Sequence, residues 1–93
     1  MTPNEQFCKE TGIKPGQLKT LKAYVNKAAR AYIRHNNEGG RVSALLAQAF
    51  RNEMNRAHEN ADAYARKLGF EADWGPGLFP TLTKDGKEYH LPD

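Results

Sequence analysis

The chain has 93 residues, a formal net charge of +3 at pH 7 and a single cysteine, Cys8. This length suits one domain, residues 1–93, with a modest core, and a lone cysteine excludes an internally disulfide-bonded fold. No apolar run approaches the roughly 20 residues that cross a bilayer, and the first residues lack the pattern of a secretory signal, so we expect a soluble cytoplasmic protein.

The first predicted helix covers residues 3–11. Thr2 followed by Pro3 is typical of a helix start, because a hydroxyl can cap the first amides and proline has no amide to leave unpaired. Gly12 is a natural end, since glycine readily adopts the left-handed conformation of a helix C-cap. Phe7 is the expected core residue of this helix, with Cys8 beside it.

A second helix is predicted over residues 15–36, with Pro15 in its first turn. Its apolar residues recur every three or four positions, so they share one face that should meet the core. These residues are Leu18, Leu21, Val25, Ala28, Ala29 and Tyr32. The polar segment 35–40 is predicted to be a turn, because asparagine and glycine tolerate positive φ.

Basic residues gather on the opposite face of the second helix, and no acidic residue occurs between Glu10 and Glu38. We name this set the basic face: Lys19, Lys22, Lys27, Arg30 and Arg34. Such a face is either simply solvated, or it binds phosphate groups or an acidic partner.

The longest predicted helix covers residues 41–68, which contain no proline or glycine and repeat apolar residues at threes and fours. Leu46 and Phe50 are expected in its core face. Glu53 also falls within that face, where it either lies at the edge and extends its carboxylate to solvent, pairs with a basic side chain, or serves as a functional carboxylate. Asp62 and Arg66 are expected to form a surface ion pair. Gly69 is expected to be the C-cap.

After this helix the sequence predicts a loop, residues 70–77, and a β-hairpin over residues 78–91. Asp85-Gly86 is a strong signal for a type I′ turn, and it places Leu82 opposite Tyr89. Strand alternation then directs one set of side chains toward the helices: Leu78, Pro80, Leu82, Tyr89 and Leu91. Pro80 has no amide for the ladder, so its strand is predicted to lie at an edge.

Two long helices joined by a short polar turn should pack as an antiparallel helical hairpin, and an isolated β-ribbon must lean on them. The predicted fold class is therefore mainly α (α+β). It comprises a short N-terminal helix, a long antiparallel helical hairpin and a C-terminal two-stranded β-hairpin.

The tail concentrates large apolar residues, more than a connecting segment needs. We predict that it binds a partner through a group that we name the tail set: Trp74, Pro76, Phe79, Pro80 and His90. Phe79 and His90 should point away from the helices, whereas Trp74 either folds onto the helices or inserts into a partner. The bonds preceding Pro76 and Pro80 can be cis or trans, and base rates favour trans.

Four residues of the N-terminal half stand at a defined spacing: Cys8 is small, a glycine, Gly12, follows four positions later, and Ile13 and Leu18 are aliphatic. With Pro15 opening the following helix, this spacing resembles the DNA-binding helix-turn-helix motif. The resemblance covers about 15 residues. It implies that one group of side chains would meet DNA bases: Gln17, Lys19, Thr20 and Lys22.

Little in the sequence supports catalysis. His58 and Asp62 share a helix face, but His58-Glu59 lacks the second histidine of a zinc-protease helix. No glycine-rich phosphate loop occurs, and no nucleophile has a matched base. We expect no catalytic residue, metal or cofactor; an enzyme that used Glu53 and His58 would need a pocket that joins them.

The first functional hypothesis is a non-enzymatic binding protein that modulates a larger protein or enzyme complex, one that handles nucleic acid. The chain also resembles small accessory proteins of bacteriophages in its size, helical character and aromatic-proline tail, which implies that it binds a host enzyme. The alternative is direct DNA or RNA binding through the helix-turn-helix-like segment and the basic face. The sequence leaves the oligomeric state open.

Overall fold

The computed structural model describes residues 1–38 and 40–92. Three helices, α1 (Pro3–Thr11), α2 (Pro15–Glu38) and α3 (Ala44–Lys67), precede three strands, β1 (Glu71–Asp73), β2 (Thr81–Lys84) and β3 (Lys87–His90). The predicted class, mainly α with a helical hairpin and a C-terminal β-hairpin, is confirmed. In the described part of the chain, no helix combines the length and the apolar character needed to cross a membrane.

Helix α1 has the predicted bounds because both of its ends are capped as the sequence indicates. The Thr2 hydroxyl accepts a hydrogen bond from the Glu5 amide at 3.2 Å, and Gly12 adopts φ 78° at the other end. The Thr11 hydroxyl donates to the Phe7 carbonyl oxygen at 2.7 Å, so this polar side chain is buried without an unpaired group.

The connection between α2 and α3 differs from the prediction at both ends. Helix α2 continues to Glu38, so the turn predicted at 35–40 begins too early; Gly39, within that turn, lies outside the described residues. Helix α3 begins at Ala44 and not at Arg41, because the Ser43 hydroxyl accepts from the Leu46 amide at 3.3 Å and caps the helix there. The Arg41 amide instead donates to the Glu38 carbonyl oxygen at 3.0 Å.

The end of α3 turns the chain into the core. Gly69 adopts φ 92°, which confirms its predicted role after the helix. Its amide donates to the Arg66 carbonyl oxygen at 3.0 Å, and the Phe70 amide donates to that of Ala65 at 2.9 Å. This pair of bonds is the Schellman arrangement, and it places the Phe70 ring in the interior, where only 1% of the residue is exposed.

The sheet contains the predicted β-hairpin in the predicted register. Leu82 lies opposite Tyr89 and Thr83 lies opposite Glu88. Asp85 and Gly86 have φ values of 53° and 78°, the positive values that a type I′ turn requires. The paired strands occupy residues 81–84 and 87–90, so the ladder is shorter than the predicted 78–91.

A third strand, β1, pairs with this hairpin, so the sheet has three strands and not the predicted two. Strand β1 lies within the segment 70–77 that was predicted to be a loop. Strand β1 pairs antiparallel with β2, and Ala72 lies opposite Leu82. The prediction that Pro80 marks an edge strand is therefore wrong, since β2 is the central strand. Pro80 directly precedes the first paired residue of β2, Thr81, where its missing amide removes no ladder bond.

The core lies at the end of the hairpin where α1 and the sheet cover it. Leu21, Val25, Phe70 and Leu82 are its largest fully buried side chains. Ala61 and Ala65 of α3 belong to this cluster, and farther along the hairpin α2 and α3 meet through Ala28, Ala31 and Ala57.

Four residues predicted to face the interior are less buried than expected, and one of them is Tyr32 of α2, which is 38% exposed. Leu46 is 44% exposed and Phe50 is half-buried, because no third layer covers the part of the hairpin next to the connection. Leu78 is 37% exposed, because it precedes the paired part of β2 and does not share its alternation.

The position of the core predicts an unequal response to truncation along the hairpin. Leu21→Ala should lower the free energy of unfolding by about 2–5 kcal/mol, because it opens a cavity in the fully buried cluster. Leu46→Ala should lower it by less than about 1 kcal/mol, as changes at exposed positions do. Urea titrations followed by circular dichroism would measure both, and equal losses would contradict the assigned core.

Candidate partner-binding surface

The tail set divides between two sides of the molecule, and Trp74 belongs to the side of α3. Its indole Nε1 donates to Asp62 Oδ1 at 2.6 Å. Its ring packs edge-on against His58, with the ring centroids 4.3 Å apart. Trp74 is half-buried against both core clusters. The predicted Asp62–Arg66 pair is wrong within the described residues, because the Asp62 carboxylate bonds Trp74 instead.

Pro76 lies on the turn that follows β1 and is exposed. Gly75 has φ 48° there, and its amide donates to Asp73 Oδ1 at 3.2 Å. The described peptide bonds include no cis bond, so the bonds preceding Pro76 and Pro80 are trans. The turn thus separates Trp74, directed to α3, from the residues that lead into β2.

Phe79 lies on the other side, next to α2. It is 55% exposed, although the adjacent Pro80 is buried. A cavity of about 220 Å³ separates this segment from α2; Lys22 and Asn26 line one wall, and Phe79, Pro80 and His90 line the other. We name it the tail cavity. It brings three residues of the tail set together with Lys22 of the basic face, so the two predicted sites meet here.

The basic face itself is not uniform. Lys19, Lys27 and Arg30 are exposed, whereas the half-buried Lys22 donates through Nζ to Asn4 Oδ1 of α1 at 3.2 Å. The fifth residue of the basic face, Arg34, takes part in both ion pairs formed among residues 1–38 and 40–92.

Arg34 pairs with Glu38 at 4.0 Å and with Glu53 at 3.6 Å. Its guanidinium carbon also lies 5.8 Å from the centroid of the Phe50 ring. Glu53 therefore pairs with a basic side chain, which is one of the roles that its sequence position allows. Because two carboxylates already contact Arg34, it contributes less positive field to the basic face than Lys19, Lys27 or Arg30 does.

A second depression follows α2 on the side of α1, and sequence reasoning missed it. This interhelical groove has a volume of about 490 Å³. Asn4, Glu5 and Cys8 of α1 and Leu18 and Ala23 of α2 are among its lining residues. Lys22 and Asn26 line both the groove and the tail cavity, so the two depressions adjoin. The sequence feature that could have indicated the groove is Ala23, a small residue among longer side chains on the outer face of α2.

A helix-turn-helix joint requires its aliphatic residues to be buried. Ile13 and Leu18, which carry the resemblance to that motif, are buried. Two of the side chains that would meet bases, however, bond within the chain. Gln17 Oε1 accepts from the Lys14 amide at 2.9 Å, and the Thr20 hydroxyl donates to the Gly16 carbonyl oxygen at 3.0 Å. These bonds compete with base contacts by Gln17 and Thr20.

Glu53 and His58 do not share a pocket. Glu53 lines a depression together with Lys27 and Arg56, and His58 is not part of its lining. His58 Nδ1 lies 2.8 Å from the Met54 carbonyl oxygen, which can only accept, so this nitrogen carries the proton. Among the residues that the structure describes, no three histidine, cysteine or acidic side chains come together as metal ligands would.

Comparison of the chain with protein-family models, with curated proteins and with solved structures finds no significant match.

Removal of the hydrogen bond between Trp74 and Asp62 tests whether the indole is anchored to α3. Asp62→Ala removes the acceptor of a half-buried donor and should lower the free energy of unfolding by about 1–3 kcal/mol. Glu59→Ala, at an exposed position of α3, should change it by less than about 0.5 kcal/mol. Denaturation followed by tryptophan fluorescence measures both; equal small effects would show that Trp74 is not anchored and stays accessible to a partner.

Proposed function

We propose that this chain is a small non-enzymatic binding protein that modulates a larger protein by inserting Phe79 into it. The resemblance to bacteriophage accessory proteins supports a host enzyme as the partner, and the basic face supports one that acts on nucleic acid. The single observation that carries the proposal is the exposed Phe79 ring, held at the rim of the tail cavity beside Lys22.

Phe79 has the properties of an interface anchor. The residue is 55% exposed, so a partner can bury a large apolar area. Its backbone leads directly into the buried Pro80 and then into the central strand, so little conformational entropy remains to be lost on binding. Aromatic residues in such positions frequently contribute most of the binding energy of an interface.

The polar residues around Phe79 indicate the character of the partner surface. Lys22 and Asn26 face it across the tail cavity, and His90 lies on the same wall as the ring. A pocket that accepts the ring, bordered by carboxylates that meet Lys22, complements this arrangement. Charge complementarity of this kind fixes the orientation of docking and speeds association.

Replacing the anchor should separate binding from folding. Phe79→Ala should weaken binding by roughly tenfold or more, as the loss of an aromatic anchor does, and should lower stability by less than about 1 kcal/mol because the ring is exposed. The partner would be captured from a lysate of the native cell, and its affinity for both forms would be measured by calorimetry.

The matched control is Leu45→Ala, because Leu45 is 84% exposed but lies on α3, far along the chain from the tail cavity. This variant should keep full affinity. If the Phe79→Ala variant is unfolded, Phe79 is a core residue. If the variant keeps its affinity for the partner, Phe79 is not part of the interface.

The second candidate function is direct binding of DNA or RNA. It is favoured by Lys19, Lys27 and Arg30, which are exposed and form no ion pair within the described residues. From Lys19 to Arg30 the helix rises about 16 Å, so the three charges could follow a strand of phosphates.

Nucleic-acid binding would reveal itself through salt dependence. The protein should bind a bare DNA duplex at low salt, and the logarithm of the association constant should fall linearly with that of the salt concentration. Lys27→Glu combined with Arg30→Glu should abolish this binding, whereas Arg51→Glu, on α3, should weaken it far less. Fluorescence anisotropy over a salt series measures the slope; absence of binding at low salt would reject this candidate.

A further inference from the structure

We propose that the interhelical groove between α1 and α2 binds a short acidic segment of the partner protein that carries one bulky apolar side chain. This inference rests on the proposed function, because the groove adjoins the tail cavity, whose lining includes the Phe79 that inserts into the partner. The lining of the groove specifies the chemistry of the partner segment, whereas the exposed Phe79 ring alone does not.

The floor of the groove is apolar. Cys8 of α1 and Leu18 and Ala23 of α2 contribute to it, with Pro15 at one end. Its volume of about 490 Å³ lies within the range of roughly 300–1,000 Å³ that is common for binding pockets. A floor of this composition gains stability by burying a leucine, isoleucine or aromatic side chain, since each removes apolar area from water.

The charged side chains of the groove lining are two lysines and one glutamate, so its net charge is positive. Lys19 and Lys22 lie along the α2 wall, and that helix carries no acidic residue before Glu38. The one carboxylate in the lining, Glu5, accepts a hydrogen bond from the Thr2 hydroxyl at 3.2 Å within α1. Negative charges that flank an apolar anchor would complement this rim, whereas basic flanks would meet repulsion.

The length of the groove indicates how much of a partner it can hold. From Pro15 to Asn26 the helix rises about 16 Å, which an extended peptide spans with about five residues. The side-chain amide of Asn26 borders this path and can bond a peptide backbone, and Asn4, whose Oδ1 accepts from Lys22, offers its Nδ2 donors. Beyond Asn26 the path reaches the tail cavity and Phe79.

The apolar floor also discriminates between classes of ligand. Phosphate groups placed over Leu18 and Cys8 would lose hydration without gaining donors there. An acidic peptide keeps its carboxylates at the rim, beside the lysines, and buries only its anchor. The groove therefore fits a peptide better than a nucleic acid, which becomes an outcome of the test.

The test selects short random peptides by display against the immobilised full-length protein. Recovered peptides should place aspartate or glutamate around a leucine, isoleucine or aromatic residue. Ala23→Trp fills the groove from an exposed position and should weaken their binding by roughly tenfold or more; Lys19→Glu should also weaken it. Ala63→Trp, at an exposed position of α3 outside the groove, is the matched control and should bind normally.

A second measurement does not depend on the folding of any variant. A bound peptide should slow the alkylation of Cys8 by iodoacetamide in the unmodified protein by roughly tenfold, because the thiol lies in the groove lining. Circular dichroism would verify that Ala23→Trp and Ala63→Trp are folded.

Any of four results would overturn the inference. The first is that the unmodified protein recovers no more peptide than the Ala23→Trp variant does. The second is that the recovered peptides are not enriched in acidic residues. The other two are that the peptides leave the alkylation of Cys8 unchanged, or that a DNA duplex displaces them. Phe79→Ala separates this failure from that of the proposed function. If Phe79→Ala lowers partner affinity while the peptides fail, only the groove is rejected; if the peptides succeed and Phe79→Ala has no effect, only Phe79 docking is rejected.

Discussion

Lys84 of β2 donates two hydrogen bonds through Nζ, to the carbonyl oxygens of Thr11 at 2.8 Å and of Leu68 at 3.2 Å. These carbonyls lie at the C-terminal ends of α1 and α3, where the helix dipole places partial negative charge. The ammonium also lies 5.2 Å from the centroid of the buried Phe70 ring. Hydrogen bonds that involve a charged group contribute about 1.5–3 kcal/mol each, so this one side chain fixes the central strand against two helix ends. The placement of Phe79 beside α2 depends on that attachment, since Phe79 leads into the same strand.

The two sets of binding residues expected from the sequence meet only in part. Lys22 contacts the tail cavity, but Arg34 lies three turns farther along α2 and pairs with Glu53 of α3. The tail divides in a similar way, because Trp74 bonds Asp62 whereas Phe79 remains exposed. What results is a compact surface around Lys22 and Asn26 that combines an aromatic ring, an apolar groove and basic charge. The three features adjoin, because Lys22 and Asn26 line both the interhelical groove and the tail cavity.

Features set by neighbouring residues were predictable, whereas those set by distant contacts were not. Gly12, Gly69 and the Asp85-Gly86 turn follow from the φ angles that these residues tolerate, and the structure confirms them. The exposure of Leu46 depends on which end of the hairpin receives the third layer, and helical periodicity carries no information about that. Strand β1 has three residues and exists through its pairing with β2. The interhelical groove likewise arises from the packing of α1 on α2, so the sequence supplied Lys22 but not its surroundings.

The uneven burial along the hairpin has a consequence for hydrogen exchange. Near the connection, α2 and α3 expose Ile33 and Leu45 and have no third layer, so backbone amides there can exchange through local opening at low free energy. Amides near Leu21 and Ala61, beneath the sheet and α1, can exchange only when most of the fold opens. We therefore expect the tip of the hairpin to fray and re-form while the surface around Lys22 and Phe79 stays intact, so that amide exchange is faster at the tip.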